Sequence, residues 1–333
     1  MYKKQLKRLL LVVTAVLLVS CDQNDDTTVL DESLSKILTE IVVQSNLADR
    51  TKKAGNLTNF KDLGELPLQS GRWFKKNKIF RTAYLDNVDK KGKKFLESLG
   101  ETVLIDLRSD EEIDSNIDFS TVLPKNITRV HLPIPISNAL SNGEIIKNVL
   151  GIGVKENENY IQEQREIQYK AFVTNTELFE HYKKITKYLL GDKKVILQGE
   201  MGKDRIGFLT ALLYSSLNAY DKYVIDDYIH ANTTLKEVFK DYKDNEVPEI
   251  VEMAKNELQA TPDFNKLSEE EIDKKIQPLV TSLETSLSVK KEDINLALAL
   301  IIKEYGSYDV YLKLAFGISQ KELEEKLSIK KQG

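Results

Sequence analysis

The chain has 333 residues, 48 Lys+Arg against 52 Asp+Glu, and a formal net charge of −4. Hydrophobic residues at 41% supply a sizeable core and exclude a wholly disordered chain, while the slight acidic excess argues against a dedicated nucleic-acid binder. One cysteine and three histidines exclude intrachain disulfides and a cysteine-rich zinc site and leave little for a histidine-built metal centre, so no cofactor is expected.

Lys3, Lys4, Lys7 and Arg8 form a basic head, and Leu9 to Val19 form a nearly unbroken apolar run. At about 11 residues the run is too short to span the hydrocarbon as a helix, which takes ~20, so residues 1–20 read as an export signal. The run ends at Leu18-Val19-Ser20-Cys21, which resembles a bacterial lipobox and implies cleavage before Cys21 and a lipid on its thiol. Losing four basic residues leaves 44 against 52, or −8, in the mature chain. Residues 21–30, with Asp22, Asp25 and Asp26, read as a solvated acidic tether that resembles the surface-export signals of some Gram-negative lipoproteins. The expectation is an exported protein, lipid-anchored to a bacterial membrane and facing the periplasm or the cell surface.

A single domain is expected over 31–333. Leu34, Ile37, Leu38, Ile41 and Val42 share one face of a helix expected within 27–50. Strands are expected at Lys78–Arg81, Thr102–Leu107, Thr128–Leu132 and Lys194–Gln198. The second and fourth are continuous apolar runs, which suits central strands covered on both faces. Helical patterns at Thr176–Leu190 and Phe208–Asn218 alternate with them, predicting an α/β fold with a mostly parallel central sheet and helices on both faces. The stretch 138–172 has few strong apolar anchors and is a candidate lid, with a surface insertion as the alternative. From about Thr233 the pattern is helical and charged, punctuated by Pro248, Pro262 and Pro278, so 235–333 reads as a helical C-terminal addition to the same domain.

The chemistry concentrates at Gln198-Gly199-Glu200-Met201-Gly202-Lys203-Asp204-Arg205-Ile206-Gly207, where a buried strand turns through glycines into an apolar helix. Such a turn aims backbone N–H groups at one point, and the helix start adds partial positive charge. Arg205 offers a planar fork to a tetrahedral oxyanion, so 199–205 reads as a phosphate or sulfate cradle. It is not a Walker A loop, because Leu197 and Asp204 stand where that loop needs Gly and Ser or Thr.

This stretch resembles the active-site loop of the tyrosine phosphatase superfamily, and in particular the bacterial tyrosine/serine phosphatases with His-Cys-x-x-Gly-Lys-Asp-Arg-Thr-Gly. Further blocks are similar in order: Asn59-Phe60-Lys61-Asp62-Leu63-Gly64, Phe80-Arg81-Thr82-Ala83, Ile105-Asp106-Leu107-Arg108-Ser109, Asp227-Tyr228 with Asn232, and a C-terminal block from Tyr305 to Ser319. The resemblance implies a tyrosine-phosphatase-like fold and a thiolate nucleophile that attacks phosphorus. Here the family's histidine and cysteine fall on Gln198 and Gly199 and its threonine on Ile206, so the cysteine-dependent reaction is expected to be absent. Asp204 stands at the position of the loop's general acid, and Asp62, Arg81, Asp106 and Arg108 read as supporting residues. The leading expectation is a pseudophosphatase that binds a phosphorylated protein or a small anionic ligand. Two alternatives stay open: a working phosphatase using Asp204 or a metal-activated water, and a surface interaction protein whose loop binds nothing.

Overall fold

Strand β1 is Lys61–Asp62, β2 Arg72–Phe74, β3 Ile79–Thr82, β4 Thr102–Asp106, β5 Ile127–His131, β6 Lys194–Gln198 and β7 Ser328–Lys330. The computed structural model describes residues 50–134 and 141–330; the export signal, Cys21, the tether and residues 27–49 of the expected helix lie outside these. The central sheet has the order β1-β3-β6-β4-β5. β3, β6, β4 and β5 are mutually parallel, and β1 closes one edge antiparallel to β3. The four strands expected from the sequence are therefore the four parallel ones. The two-residue β1 and the separate β2–β7 pair were not anticipated, because short edge strands carry too little periodic signal.

Every residue of β4 is buried, as are the last four of β6, because helices cover both faces of the sheet. Leu104 and Ile196 join Phe60, Phe80 and Leu96 in one core cluster, with Leu96 supplied by α1, Lys90–Ser98. Alternation turns Ile105, Val195 and Leu197 to the opposite face. Each fully buried aliphatic side chain contributes about 1.5–3 kcal/mol. Helices α2 (Asn142–Leu150), α3 (Tyr160–Thr174) and α4 (Leu178–Leu190) follow before β6. Directly after β6 comes α5, Arg205–Ser216, buried at all twelve positions, as an apolar sequence on every side requires.

The C-terminal region holds α6 (Asp221–Ile229), α7 (Lys236–Ala260), α8 (Glu269–Leu287), α9 (Lys291–Tyr305) and α10 (Gln320–Leu327). Pro248 and Pro278 do not end helices as expected but lie inside α7 and α8. Packing outweighs the lost backbone bond: Val247, Ile250, Ala254 and Leu258 of α7 meet Ile272, Ile276, Leu279 and Leu283 of α8 in a second core.

That core also takes Ile145, Ile146, Val149 and Leu150 of α2 and Ile152 beyond it. The 138–172 stretch is thus well anchored in its described part, contrary to the sequence reading. Its apolar residues are spaced for a partner helix a hundred residues downstream, which a local scan does not see.

In the register of the sheet Thr82 pairs with Gln198, Gln198 with Asp106, and Asp106 with His131. Four strands therefore end together at their carboxyl ends. In open parallel sheets that edge is where ligands bind.

Candidate functional site

The turn from β6 to α5 is held from beneath by its carbonyls. The backbone N–H of Tyr84 donates to Glu200 O (3.1 Å), and Asn59 Nδ2 donates to the carbonyls of Met201 (3.0 Å) and Gly202 (3.1 Å). Arg81 Nη2 also donates to Gly202 O. In a trans peptide the N–H points opposite to the C=O, and the chain has no cis peptide among its described residues. The N–H groups of Met201, Gly202 and Lys203 are thereby turned away from the body of the protein. They make no hydrogen bond among the described residues. They face a pocket of about 240 Å³ lined by 199–206 together with Glu112, Tyr242, Ser286 and Leu287.

Two residues make this turn sterically possible. Gly202 has φ +65°, and a Cβ there would lie 2.4 Å from Thr82 O. Asn59, itself at φ +51°, accepts from Thr234 Oγ1 (2.7 Å) while its amide holds the two loop carbonyls. Gly199 is different in kind. Its φ is ordinary, and a Cβ would find Ile206 Cδ1 at 3.5 Å, a normal contact. The backbone does not demand glycine at 199.

Two charged side chains of the loop pair with each other. Lys203 Nζ is 2.8 Å from Asp204 Oδ2, and Tyr169 Oη donates to Asp204 Oδ1 at 3.1 Å. Burial pushes the Asp204 carboxyl up, but Lys203 and Arg165 outweigh it and hold the group below the usual carboxylate range. In this arrangement the carboxylate of Asp204, the residue at the position of the loop's general acid, is favoured in its ionised form. Burial likewise lowers the Lys203 ammonium, partly restored by Asp204.

Arg205 also differs from expectation. Its Nη1 and Nη2 grip the Glu112 carboxylate at 3.1 and 2.6 Å, and Nε donates to Ile134 O at 2.6 Å. The planar fork is occupied, leaving one outer N–H on each terminal nitrogen.

A second network braces the strand ends. Asp106 accepts from Arg108, Arg129 and Gln198 Nε2, while Arg108 also grips Asp86 at 2.6 and 2.8 Å. Burial raises the Asp106 carboxyl, but the two arginines prevail and hold it low. Glu200 Oε2 lies 4.0 Å from Arg108 Nη1, and burial, with Glu112 and Asp86 close by, keeps the Glu200 carboxyl above its ordinary value despite Arg108.

Beneath the loop Arg50, Lys61 and Arg81 surround Asp227, all four buried. Arg81 thus joins this cluster to the loop carbonyl. Asp62 does not reach the loop: its carboxylate accepts from Gly64 N and Asn77 N, both at 2.9 Å, and organises a turn.

The model of a tyrosine phosphatase family matches residues 53–328, most of the chain and all of the loop pocket. The chain belongs to the tyrosine phosphatase family. It is also 24% identical over 292 residues to the "triple specificity protein phosphatase PtpB" of Mycobacterium tuberculosis, an alignment covering 79% of this chain and 92% of that protein. The match to the tyrosine phosphatases agrees with the resemblance read from the sequence blocks and with the parallel sheet.

Several residues of the site escaped the sequence reading. Asn59 was visible only as part of a family block, and its role as a loop clamp needed coordinates. Tyr169, Arg165, Tyr242, Ser286 and Leu287 come from helices far from the loop in sequence, with no local signal to mark them.

Proposed function

We propose that this tyrosine phosphatase family protein binds a phosphorylated or otherwise anionic ligand without cysteine-based turnover, held at a bacterial membrane by a lipid on Cys21 and facing the periplasm or the cell surface. One observation carries the reading: the N–H groups of Met201, Gly202 and Lys203 face a pocket at whose edge residue 199 offers only hydrogen. The start of α5 adds its dipole to these donors. Without a thiolate there is no nucleophile at that edge, and no repulsion of a bound dianion either.

The side chains contribute less. Glu112, Glu200 and Asp204 against Lys203 and Arg205 line the pocket, so anion binding rests on the backbone rather than on a charge excess. A reading with turnover through Asp204 has less support, because that carboxylate is already engaged by Lys203 and Tyr169. A metal-activated water would draw on Glu200 and Asp204, each of which is turned toward a cation.

Calorimetry with sulfate, vanadate and a phosphotyrosine peptide, beside a p-nitrophenyl phosphate assay, tests this. Binding heat that is weakened by Arg205→Ala, with no turnover, is the expected result; Arg205 closes the loop on Glu112 and Ile134. Turnover sensitive to Asp204→Asn or to a chelator would replace the reading with the enzymatic one. Absence of any heat would leave the loop without a ligand.

A further inference from the structure

Beside the loop pocket lies a larger groove of about 620 Å³ between α3 and α8. The two share Ser286 as a lining residue. Arg165 sits at the junction: it lines the groove, donates to Ser286 O, and acts electrostatically on both Lys203 and Asp204 of the loop.

The charge of the two spaces differs in sign. The loop pocket has three carboxylates against two cations, whereas the groove has Arg165, Lys274 and Lys290 against Glu158 alone. Asp293 lies 3.5 Å from Arg165, which offsets that one cation. The Asp293 carboxylate accepts from the Lys290 backbone N–H at 3.0 Å, whereas the Lys290 ammonium donates to the neutral Gln162 Oε1 at 2.9 Å, and no ion pair is made by the Lys274 or Lys290 ammonium among the described residues. Positive charge left without a partner is therefore concentrated next to the loop, not in it.

The rest of the lining is hydroxyl and amide. Ser282 and Thr285 use their hydroxyl protons on backbone carbonyls, which leaves their oxygen lone pairs as acceptors. Gln277 carries a donor and an acceptor on one planar group, matching the edge of a peptide bond. A space of this size accommodates several residues of extended chain, while the loop pocket has room for little more than one phosphate.

We infer that the groove between α3 and α8 is a docking subsite for the peptide that flanks a phosphorylated residue, selecting an acidic side chain through Lys274 and Lys290. This rests on the proposed anion-binding role of the loop and names its ligand class. Lys290 is four residues past Ser286, and Lys274 is twelve residues before it on α8, about 18 Å at ~1.5 Å per residue, a span that an extended chain at ~3.4 Å per residue covers in about five positions.

The test compares phosphotyrosine peptides that carry Asp at successive positions from six before to six after the phosphorylated residue with an all-Ala counterpart. Binding is measured by calorimetry or fluorescence anisotropy at low salt. At least one acidic peptide is expected to bind about tenfold tighter than the Ala peptide, and Lys274→Glu is expected to abolish that preference, with Lys290→Gln reducing it. The Ala peptide reports on the loop in every variant. Equal binding of all peptides, lost together on Arg205→Ala, would overturn the subsite and leave the loop reading intact. Binding of acidic peptides that needs Lys274 but not their phosphate would overturn the loop reading and leave the groove as a separate acidic-peptide site. No binding of any peptide would overturn both.

Discussion

Gly199 and Gly202 sit three residues apart in one turn, yet only one is there for its backbone. Gly202 has positive φ and touches Thr82 O, so Gly202→Ala is expected to destabilise by more than ~1 kcal/mol. Gly199 has ordinary φ and open space, so Gly199→Ala is expected to be neutral or to stabilise by up to about 1 kcal/mol. Urea unfolding of the two variants checks the contrast. The room at this position allows Gly199→Cys to place a thiol at the pocket edge, its Cβ in ordinary contact with Ile206 and with Gly202 N. That variant, with Gln198→His added if needed, is expected to gain cysteine-dependent hydrolysis of p-nitrophenyl phosphate that iodoacetate removes. Glu200 gives a pH prediction with a definite sign. Its carboxyl is raised chiefly by burial, so it protonates earlier than an ordinary glutamate as pH falls, and one negative charge leaves the pocket. Sulfate, which keeps its charge over this range, is expected to bind more tightly toward pH 5, and Glu200→Gln is expected to bind tightly at pH 7 with a flattened profile.

At the scale of elements, the strands that carry the loop and its braces were readable because central parallel strands are continuous apolar runs. Thr102–Asp106 and Lys194–Gln198 stood out on that ground, and the apolar stretch after the loop announced α5. The helices α2, α7 and α8 were harder. Their apolar residues match a core made by segments a hundred residues apart, so 138–172 looked weakly anchored and Pro248 and Pro278 looked like helix ends. That core makes its own prediction. Leu279 is fully buried in it, and Leu279→Ala is expected to cost about 2–5 kcal/mol and to raise amide exchange first in α2, α7 and α8. A uniform loss of protection across the central sheet would show instead that the two cores unfold together.

For the whole molecule, the buried charges beneath the loop link stability to pH. Burial pulls the Lys61 ammonium from its ordinary 10.5 down to about 7, against the attraction of Asp227. The unfolded chain keeps that proton up to about 10.5, so between these values the unfolded state binds more protons and stability rises with pH. The urea midpoint is expected to climb from pH 7 to pH 9, and Lys61→Met to climb less. The proposed anchor is tested on the intact cell: Cys21→Ser is expected to move the protein from the membrane fraction to the soluble one. Residue order alone was sufficient for the α/β class, the glycine-containing turn from 199 to 205 and the family blocks, because each is written in contiguous residues whose spacing reflects local geometry. Folding in three dimensions settled the rest. It turned Arg205 onto Glu112, placed Asp204 between Lys203 and Tyr169, and set the groove of α3 and α8 beside the loop. Those outcomes depend on which distant side chains meet, and in a buried site the partner, not the residue type, decides what a charge can do.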